Sequence, residues 1–418
     1  MEYGLIGAKL GHSFSKIIHE KLCDYTYDLC PLPTEDEARD FMARRDFKAI
    51  NVTIPYKELV IPFCDEVDET ARVIGAVNTI VNKNGRLCAY NTDFAGFSRL
   101  AATHGVAFKG KTVLILGTGG TQKTVEAVAL HGGAKKILRA SRRKTESTVT
   151  YAEAAQCAEV QIIVNTSPVG MYPNNGECLV DLDAFPLLEA VFDAVYNPFE
   201  TRLLWQARQR GIIAANGLLM LVAQAKYAAE YFTGHEIADA EIDRVTAELR
   251  AERTNLVLIG MPGCGKTVLG RMAAELLQKD FVDLDAEIEK RAEKKIPSIF
   301  ADDGEAVFRD LERAVCADFA KETGLVISTG GGIVKNSDNI RNLQQNGVLI
   351  YLDRPLAQLA MNGRPLSADK AAVEKLYAER KPLYEAAADK IVCNGGERAC
   401  AVQKIKEAFD EAVNFERP

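Results

Sequence analysis

The sequence predicts an α/β protein made of at least two parallel-sheet units, and three observations support this class. First, 418 residues exceed the roughly 100–200 residues of one typical domain. Second, two segments, TVLILGTGGTQKTVEAVALHGG from Thr112 and NLVLIGMPGCGKTVLGRMAAELL from Asn255, each combine an apolar run, a glycine-rich turn and a helical pattern. Third, both runs contain few polar residues, which is typical of parallel strands buried on both faces.

The rest of the chain suggests how these units are arranged. Upstream of Thr112, short strand-like runs alternate with helical stretches, which predicts a separate α/β lobe. Between the two glycine-rich segments, residues 235–253 lack glycine and proline and repeat apolar residues at near-helical spacing. We therefore expect a helix there and place the main boundary near Arg253, which separates a domain at 1–253 from one at 254–418.

Composition excludes several classes of protein. Hydrophobic residues make up 47% and charged residues 26%, which are ordinary globular values. The net charge of -7 argues against general binding to nucleic acid or to an anionic membrane. The ten cysteines show no CxxC pair, so we expect reduced thiols. With no basic leader pattern and no apolar run of about 18 residues, we expect a cytoplasmic protein that binds small molecules; the sequence leaves its oligomeric state open.

The first glycine-rich turn has the composition of a dinucleotide-binding turn. Gly117, Gly119 and Gly120 follow the apolar run, and their missing side chains would let the backbone approach a pyrophosphate at the next helix N-terminus. The usual third glycine is absent, so an ordinary strand-to-helix turn remains an alternative.

The next apolar run ends where an NAD site would carry an acidic residue. Ser141, Arg142 and Arg143 occupy this place. Because a guanidinium suits the 2′-phosphate of NADP, NADP(H) is favoured over NAD. Two solvated arginines after a strand remain the alternative. The turn and these arginines together predict a Rossmann-like NADP lobe.

Eight motifs of the first domain resemble shikimate dehydrogenase from residue 1 to about 250. In order they are GHSFSKIIHE, NVTIPYKE, GAVNTI, NTDFAGF, GTGGTQ, NTSPVGM, NPFETRLL and NGLLMLVAQA. The resemblance implies a substrate lobe over about 1–95 and 217–253, an NADP lobe over about 96–216, and reduction of 3-dehydroshikimate with NADPH.

Hydride transfer to a carbonyl also requires a proton, so the site needs an acid/base group. Lys57 and Asp93 are the candidates. From the residues alone, a surface lysine and a turn aspartate are the safer interpretation, and it is the resemblance that assigns the two residues the acid/base role. The resemblance also implies which residues contact the ligands. The substrate carboxylate would be bound by Ser13 and Ser15, and its hydroxyls by Asn51, Thr53, Asn78 and Gln224. Tyr196 would lie near the nicotinamide, and the cofactor would be contacted by Asn165, Thr166 and Ser167.

The second glycine-rich turn fits G-x-x-x-x-G-K-[ST], placed between an apolar strand and a helix. Its backbone N–H groups, at Gly260, Gly263 and Gly265, would surround phosphate oxygens. Lys266 would reach the β- and γ-phosphates of ATP, and the Thr267 hydroxyl would bind Mg²⁺.

Downstream of this loop, Asp283 and Asp285 alternate in FVDLDAEIE, so we expect both carboxylates on one side of an extended segment, one serving the metal and the other the acceptor. With FRDLE, STGGGIV, NGRPLS and AERKPLY, this segment resembles shikimate kinase over 254 to about 410.

The resemblance to shikimate kinase implies a role for each matching residue. Asp285 would orient or deprotonate the acceptor hydroxyl, which leaves Asp283 to serve Mg²⁺. From its spacing alone, Glu312, one helical turn after Arg309, would either fix the Arg309 guanidinium or form a solvated helical ion pair with it. The lid AMNGRPLSAD is short and lacks the upstream arginine that many members carry near the adenine. The remaining residues serve the acceptor or the transferred phosphoryl group: Arg309, Gly331, Gly332 and Arg380 bind the acceptor, and Arg364 in the lid neutralises charge.

The two families that the chain resembles act on one common compound, because the product of a shikimate dehydrogenase is the substrate of a shikimate kinase. The sequence therefore predicts a fused enzyme using NADP(H) at the first site and ATP with Mg²⁺ at the second. The alternatives are a quinate/shikimate dehydrogenase with an impaired kinase domain, and a regulator that binds shikimate without turnover.

Overall fold

The structure is a computed structural model that describes residues 1–11, 13–359 and 370–414, with only the backbone at 370–372. Contacts within these residues divide the chain into two units, and the division falls after Thr246. Both units consist of sheets flanked by helices, so the predicted α/β class is confirmed. In these ranges no helix is both long and apolar enough to cross a membrane.

A mixed six-stranded sheet forms the first lobe of unit 1. Its strands are β1 (Tyr3–Gly7), β2 (Tyr27–Pro31), β3 (Ala49–Val52), β4 (Glu66–Val67), β5 (Thr79–Lys83) and β6 (Arg86–Tyr90). They lie in the order β2-β1-β3-β5-β6-β4, with β5 antiparallel to β3 and β6 and the other pairs parallel. The β5–β6 turn is Asn84 and Gly85, with φ of 55° and 89°, as a two-residue type I′ hairpin requires.

Four helices accompany this sheet: α1 (Ser15–Leu22), α2 (Glu35–Arg44), α3 (Glu69–Ile74) and α4 (Asp93–Thr103). Helix α2 begins at a capping box, because the Thr34 side chain accepts from the Glu37 N–H while the Glu37 carboxylate accepts from the Thr34 N–H. Helix α1 packs on β2 through His19, whose ring stacks on Tyr27 with a centroid distance of 4.1 Å.

The second lobe of unit 1 contains a six-stranded parallel sheet. Its elements in chain order are β7 (Thr112–Leu116), α5 (Gly120–His131), β8 (Lys136–Ser141), β9 (Val149–Thr150), α6 (Tyr151–Ala154), β10 (Ile162–Asn165), β11 (Ala190–Asp193), α7 (Arg202–Gln209) and β12 (Ile213–Asn216). The strand order is β12-β11-β10-β7-β8-β9. The chain leaves β7 to one side and later returns to the other, so a crevice opens at the carboxyl ends of β7 and β10.

Two further helices, α8 (Leu218–Thr233) and α9 (Ala240–Arg253), follow the second sheet. Helix α8 returns to the first lobe, where Ala228 and Phe232 join a buried cluster with Leu5 and Ala49. The helix predicted from residue 235 begins only at Ala240. The preceding turn is held by Lys226 of α8, whose ammonium lies 3.0 Å from the Asp239 carboxylate.

Unit 2 is built on a five-stranded parallel sheet. Its elements are β13 (Asn255–Ile259), α10 (Lys266–Leu277), β14 (Asp280–Asp283), α11 (Leu284–Ala292), α12 (Ile296–Ser298), α13 (Gly304–Phe319), β15 (Leu325–Ser328), α14 (Ser337–Asn346), β16 (Gly347–Asp353), α15 (Lys370–Ala387), β17 (Lys390–Cys393) and α16 (Arg398–Asn414). The order β14-β15-β13-β16-β17 places β13, buried along its whole length, at the centre. The loop that follows β13 therefore lies at the middle of the carboxyl edge.

Candidate active sites

A buried ion pair lies at the centre of the first lobe's carboxyl edge. Lys57 follows β3 and Asp93 is the first residue of α4, and the Lys57 Nζ donates to Asp93 Oδ2 at 2.5 Å. Their side chains are only 12% and 9% exposed. The N-terminus of α4 favours the negative carboxylate. The pair brings together a proton donor and a charged group that orients it, which is what acid/base catalysis needs.

The side chain of Asn51, in β3, is fixed by buried hydrogen bonds. Asn51 Oδ1 accepts from the Tyr27 hydroxyl at 2.7 Å, and both Asn51 N–H bonds are used, to the Asn78 carbonyl at 3.1 Å and the Thr79 hydroxyl at 3.2 Å. Asn51 therefore retains one acceptor lone pair, which suits a hydroxyl donor. Sequence reasoning missed Tyr27, because the bond joins residues 24 positions apart.

Gln224 reaches the same network from helix α8. Asn78 Nδ2 donates to Gln224 Oε1 at 3.4 Å and to the Thr92 hydroxyl at 3.0 Å, while Asn78 Oδ1 accepts from the Thr92 N–H at 2.8 Å. The structure thus brings together Asn51, Asn78 and Gln224, and it places Thr92 directly before Asp93. A network of amide and hydroxyl groups therefore adjoins the acid/base pair through Thr92.

The two serines flank Phe14 at the start of α1. Ser13 Oγ donates to Ser15 Oγ at 3.1 Å and accepts from the Ser15 N–H at 3.2 Å, so Ser13 bonds the first helical N–H. The Phe14 ring lies 5.2 Å from the Tyr196 ring, which brings the serine turn to a loop of the second lobe. Thr53 packs its methyl group against Gly7, since a Cβ at Gly7 would lie 2.5 Å from it.

The crevice of the second lobe has space that a side chain would fill. Gly117 has φ of 114°, and a Cβ there would lie 2.9 Å from the Thr166 hydroxyl and 3.1 Å from the Ser167 N–H. Gly119 precedes α5, and a Cβ on Gly120 would lie 3.4 Å from Lys57 Cδ. The turn therefore fits a closely approaching pyrophosphate, and it lies beside the acid/base lysine.

The carboxyl end of β8 carries the basic residues. Ser141 ends the strand and its hydroxyl donates to the Arg143 carbonyl, while Arg142 and Arg143 are exposed. Strand β8 is the neighbour of β7, so both guanidiniums leave the sheet next to the glycine turn. This position fits the 2′-phosphate of NADP.

Asn165 is buried and fully bonded. Its Nδ2 donates to Asp193 Oδ1 at 2.9 Å and to the Val169 carbonyl at 3.1 Å, and its Oδ1 accepts from the Ser167 hydroxyl at 2.7 Å. Asn165 thus shapes the loop that carries Thr166 and Ser167 along the crevice.

Asp193, which sequence reasoning missed, connects the end of β10 to the loop between β11 and α7 at the carboxyl edge. Besides Asn165, its carboxylate accepts from the Val195 N–H at 3.0 Å and the Thr201 hydroxyl at 2.7 Å. Complete burial raises the pKa of Asp193 to about 7, despite these three donors. A carboxylate directly after the buried run AVF was the available signal.

A variant can test this buried carboxyl group. A pKa raised above the unfolded value of 3.8 means that the native state retains a proton that the unfolded state loses, so unit 1 is destabilised as pH rises from about 4 to 7. Asp193→Asn should remove this pH dependence, because Asn has no proton to lose. Thermal unfolding midpoints between pH 4.5 and 8 measure the effect.

Asp183→Asn is the matched control, because its carboxylate is 85% exposed. The midpoint of the wild type should fall relative to Asp193→Asn as pH rises, while Asp183→Asn follows the wild type. Parallel curves for all three proteins would show that Asp193 is already ionised at pH 4.5.

The loop after β13 in unit 2 adopts the backbone that glycine permits. Gly260, Gly263 and Gly265 have φ of 146°, 84° and 102°. Lys266 is only 7% exposed, and its ammonium donates to the Gly260 carbonyl at 2.8 Å and the Met261 carbonyl at 3.1 Å. The loop and its positive charge fit the phosphates of ATP.

A hydroxyl and a carboxylate meet at the end of this loop. Thr267 Oγ1 donates to Asp283 Oδ2 at 2.7 Å. These two oxygens could bind Mg²⁺ together with nucleotide phosphates and water, the arrangement that Mg²⁺ prefers. Over the residues described, no cluster of three or more His, Cys, Asp or Glu side chains is arranged to hold a metal.

The prediction of an extended Asp283–Asp285 segment is wrong. Strand β14 ends at Asp283, and the Asp283 Oδ1 accepts from the N–H groups of Asp285 at 3.1 Å and Ala286 at 3.4 Å. Asp283 thus caps α11 and Asp285 lies in the first helical turn. The local alternation of carboxylates could not reveal that the first of them starts a helix.

The glycine turn after β15 packs against the side chains that are predicted to bind the acceptor. A Cβ on Gly330 would lie 2.7 Å from Asp285 Oδ1, and one on Gly332 would collide with the Arg309 guanidinium. Arg380 is 3% exposed, and its Nη1 donates to the Gly331 carbonyl at 2.9 Å. The structure therefore brings Asp285, Arg309 and Arg380 around one turn.

Glu312 holds the Arg309 guanidinium, as predicted for a residue one turn away on α13. Arg309 Nη1 donates to Glu312 Oε2 at 2.8 Å. Burial raises the pKa of Glu312 above its ordinary value, although the guanidinium opposes this shift. The second oxygen, Oε1, is buried and has no hydrogen-bond partner among the residues that the structure describes. Arg364 and the rest of the predicted lid, residues 360–369, lie outside the described residues.

The fold and the two sites define a class: an oxidoreductase-type dinucleotide fold and a P-loop phosphotransferase fold in one chain. Comparisons with known families agree. The model of the shikimate dehydrogenase substrate binding domain matches residues 5–80, and that of shikimate kinase matches residues 262–412.

Curated relatives cover the first unit. The shikimate dehydrogenase (NADP(+)) of Clostridium perfringens (strain 13 / Type A) is 34% identical over 265 residues, 59% of this chain and 98% of the relative. That of Geobacillus sp. (strain WCH70) is 38% identical over 256 residues, 56% of this chain and 92% of the relative.

Solved structures agree as well. A chorismate mutase/shikimate 5-dehydrogenase fusion protein from Clostridium acetobutylicum is 33% identical with a TM-score of 0.55, covering 59% of this chain and 96% of that one. Shikimate 5-dehydrogenase from Thermus thermophilus, in complex with NADP(H) and shikimate, is 26% identical with a TM-score of 0.54, covering 59% and 99%. The chain belongs to the shikimate dehydrogenase family and carries a shikimate kinase domain in addition, so the predicted fusion is confirmed.

Proposed function

We propose that the chain reduces 3-dehydroshikimate to shikimate with NADPH and phosphorylates shikimate to shikimate 3-phosphate with Mg-ATP. The observation that carries the proposal is that one chain holds both sets of residues: the Lys57–Asp93 pair beside Gly120, and Lys266 in the second glycine loop with Asp285 against Gly330. We further propose domains at 1–253 and 254–418, and a cytoplasmic location.

At the first site, bound NADPH supplies the hydride. Lys57 donates a proton to the oxygen that becomes the hydroxyl, and Asp93 orients the ammonium. Asn51, Asn78 and Gln224 bind ring hydroxyls, with Thr53 beside them. Ser13 and Ser15 hold the carboxylate, and Tyr196 closes the site near the nicotinamide. The cofactor is held by Gly117, Gly119 and Gly120 at the pyrophosphate, by Thr166 and Ser167 on the loop that Asn165 shapes, and by Ser141, Arg142 and Arg143 at the 2′-phosphate.

At the second site, ATP supplies the phosphoryl group, and catalysis depends on positioning and charge. Asp285 orients or deprotonates the acceptor hydroxyl. Lys266 neutralises the β- and γ-phosphates, while Thr267 and Asp283 hold Mg²⁺. Arg309 and Arg380 bind the acceptor carboxylate, with Gly331 and Gly332 contacting it from the turn. Arg364 completes the assignment as the lid arginine.

One incubation tests the proposal. The purified chain receives 3-dehydroshikimate and either NADPH or NADH, with and without Mg-ATP, while the absorbance of the reduced nicotinamide and the product masses are followed. We expect faster absorbance loss with NADPH, and phosphorylated shikimate only when ATP is present. Absorbance loss without a phosphorylated product would reject the kinase activity, and a preference for NADH would reject the cofactor assignment. Binding of shikimate without any turnover would support a regulator.

A further inference from the structure

The Gly330–Gly332 turn contacts both halves of the second site. Gly331 packs on Pro262 of the phosphate loop, where a Cβ would lie 2.6 Å from the Pro262 ring carbons. Gly332 packs on Arg309, and Gly330 on Asp285. The orientation of this turn therefore decides which backbone groups face the acceptor.

Two side chains of α15 anchor the turn at a single atom. The Gly331 carbonyl oxygen accepts from the Tyr384 hydroxyl at 2.5 Å and from Arg380 Nη1 at 2.9 Å. Tyr384 is completely buried, and its ring stacks on Tyr351 of β16 at 5.1 Å. This packing restrains the phenol ring, so its hydroxyl stays at the carbonyl.

The anchored carbonyl fixes the next N–H. In a trans peptide the carbonyl and the following N–H point in opposite directions, and the Gly331–Gly332 bond is not among the cis peptides. The N–H of Gly332 therefore points away from Tyr384. Across the described part of the chain, no backbone or side-chain acceptor takes this N–H, which leaves it available to a ligand oxygen.

We propose that Tyr384 is a positioning residue for the acceptor: it fixes the Gly331 peptide so that the Gly332 N–H faces an acceptor oxygen. Because Tyr384 alone can hold the Gly331 carbonyl, Arg380 can turn its guanidinium to an acceptor carboxylate without releasing the turn. Arg380 Nε is buried and has no hydrogen-bond partner within the described ranges, so it is available for this contact. The inference rests on the proposed kinase function.

Tyr384→Phe in the full chain tests the role, since it removes only the hydroxyl. We expect KM for shikimate in the phosphorylation reaction to rise roughly five- to tenfold, the effect of one lost hydrogen bond, while KM for ATP and kcat change less than about twofold. Tyr377→Phe is the matched control on the same helix, because its hydroxyl lies 3.5 Å from Asp353 and makes no contact with the turn.

The outcomes separate the two levels of the proposal. No phosphorylation by the wild type would reject the kinase function itself. With an active wild type, equal KM values for Tyr384→Phe and Tyr377→Phe would overturn the positioning role. A merely structural role would lower the active fraction, and hence the apparent kcat, with both KM values unchanged; this result would also overturn it.

A double variant adds a second readout. Before the acceptor binds, Tyr384 and Arg380 hold the same oxygen, so each single variant retains one anchor in the free protein. Combining Tyr384→Phe with Arg380→Lys should raise KM for shikimate by more than the product of the two single effects. Effects that simply multiply would contradict the shared anchor.

Discussion

Lys57→Met is expected to slow NADPH-dependent reduction by about 10²- to 10⁴-fold, because it removes the proton donor. Methionine retains a linear side chain of similar length, so the packing of this side chain near Gly120 is largely kept; a Cβ added to Gly120 would lie 3.4 Å from Lys57 Cδ. Dinucleotide binding should therefore persist, and KM for NADPH should change less than about threefold. Steady-state rates with varied NADPH measure both quantities.

The second unit provides an internal control for Lys57→Met. The rate at which it phosphorylates added shikimate should be unchanged, which excludes errors in protein concentration. Lys48→Met is the matched control, because Lys48 is 60% exposed and its ion pair with Glu2 lies away from the site. A loss below about tenfold in Lys57→Met, with NADPH binding intact, would remove Lys57 from the catalytic role.

Asp285→Asn is expected to lower the rate of phosphoryl transfer by about 10²- to 10⁴-fold, since the amide cannot accept the proton of the acceptor hydroxyl. Asparagine has nearly the same shape, so it preserves the packing against Gly330, whose Cβ position lies 2.7 Å from Asp285 Oδ1. KM for ATP should change little, because Lys266 and Thr267 are untouched. A coupled assay for ADP release, with shikimate varied, measures the change.

Asp280→Asn makes the same chemical change at the opposite, exposed end of β14 and should leave the rate unaltered. The dehydrogenase rate should be unchanged in both variants. If Asp285→Asn retains more than about a tenth of the wild-type kcat, Asp285 is not needed to activate the hydroxyl, and positioning alone accounts for the reaction.

The parts of the fold that were predicted from sequence are those encoded by local composition. Glycine-rich turns after apolar runs identified β7 and β13 and the sites at their carboxyl ends, because a parallel strand buried on both faces contains few polar residues. The start of α9 was misplaced, because the Lys226–Asp239 contact joins separate elements. Asp283 and Asp285 were identified as site residues, but Asp285 was predicted to be extended and is helical.

The positioning groups could not be predicted, because their partners are far apart in sequence. Asp193 bonds Asn165 of β10, 28 residues away, and Tyr384 reaches a carbonyl 53 residues away. A tyrosine or aspartate in an apolar run looks the same whether it fills a core or supports a site. Only the folded backbone distinguishes the two cases.

The return of α8 to the first lobe has a consequence for synthesis on the ribosome. Gln224 contacts Asn78 across 146 residues, and Phe232 completes the cluster around Leu5. A nascent chain that has emerged only as far as the first sheet lacks both groups. The first lobe therefore cannot complete its folding, and part of its apolar surface stays exposed, until the whole second lobe and α8 have been translated. Chaperone contact with nascent chains of this protein should be concentrated in that interval.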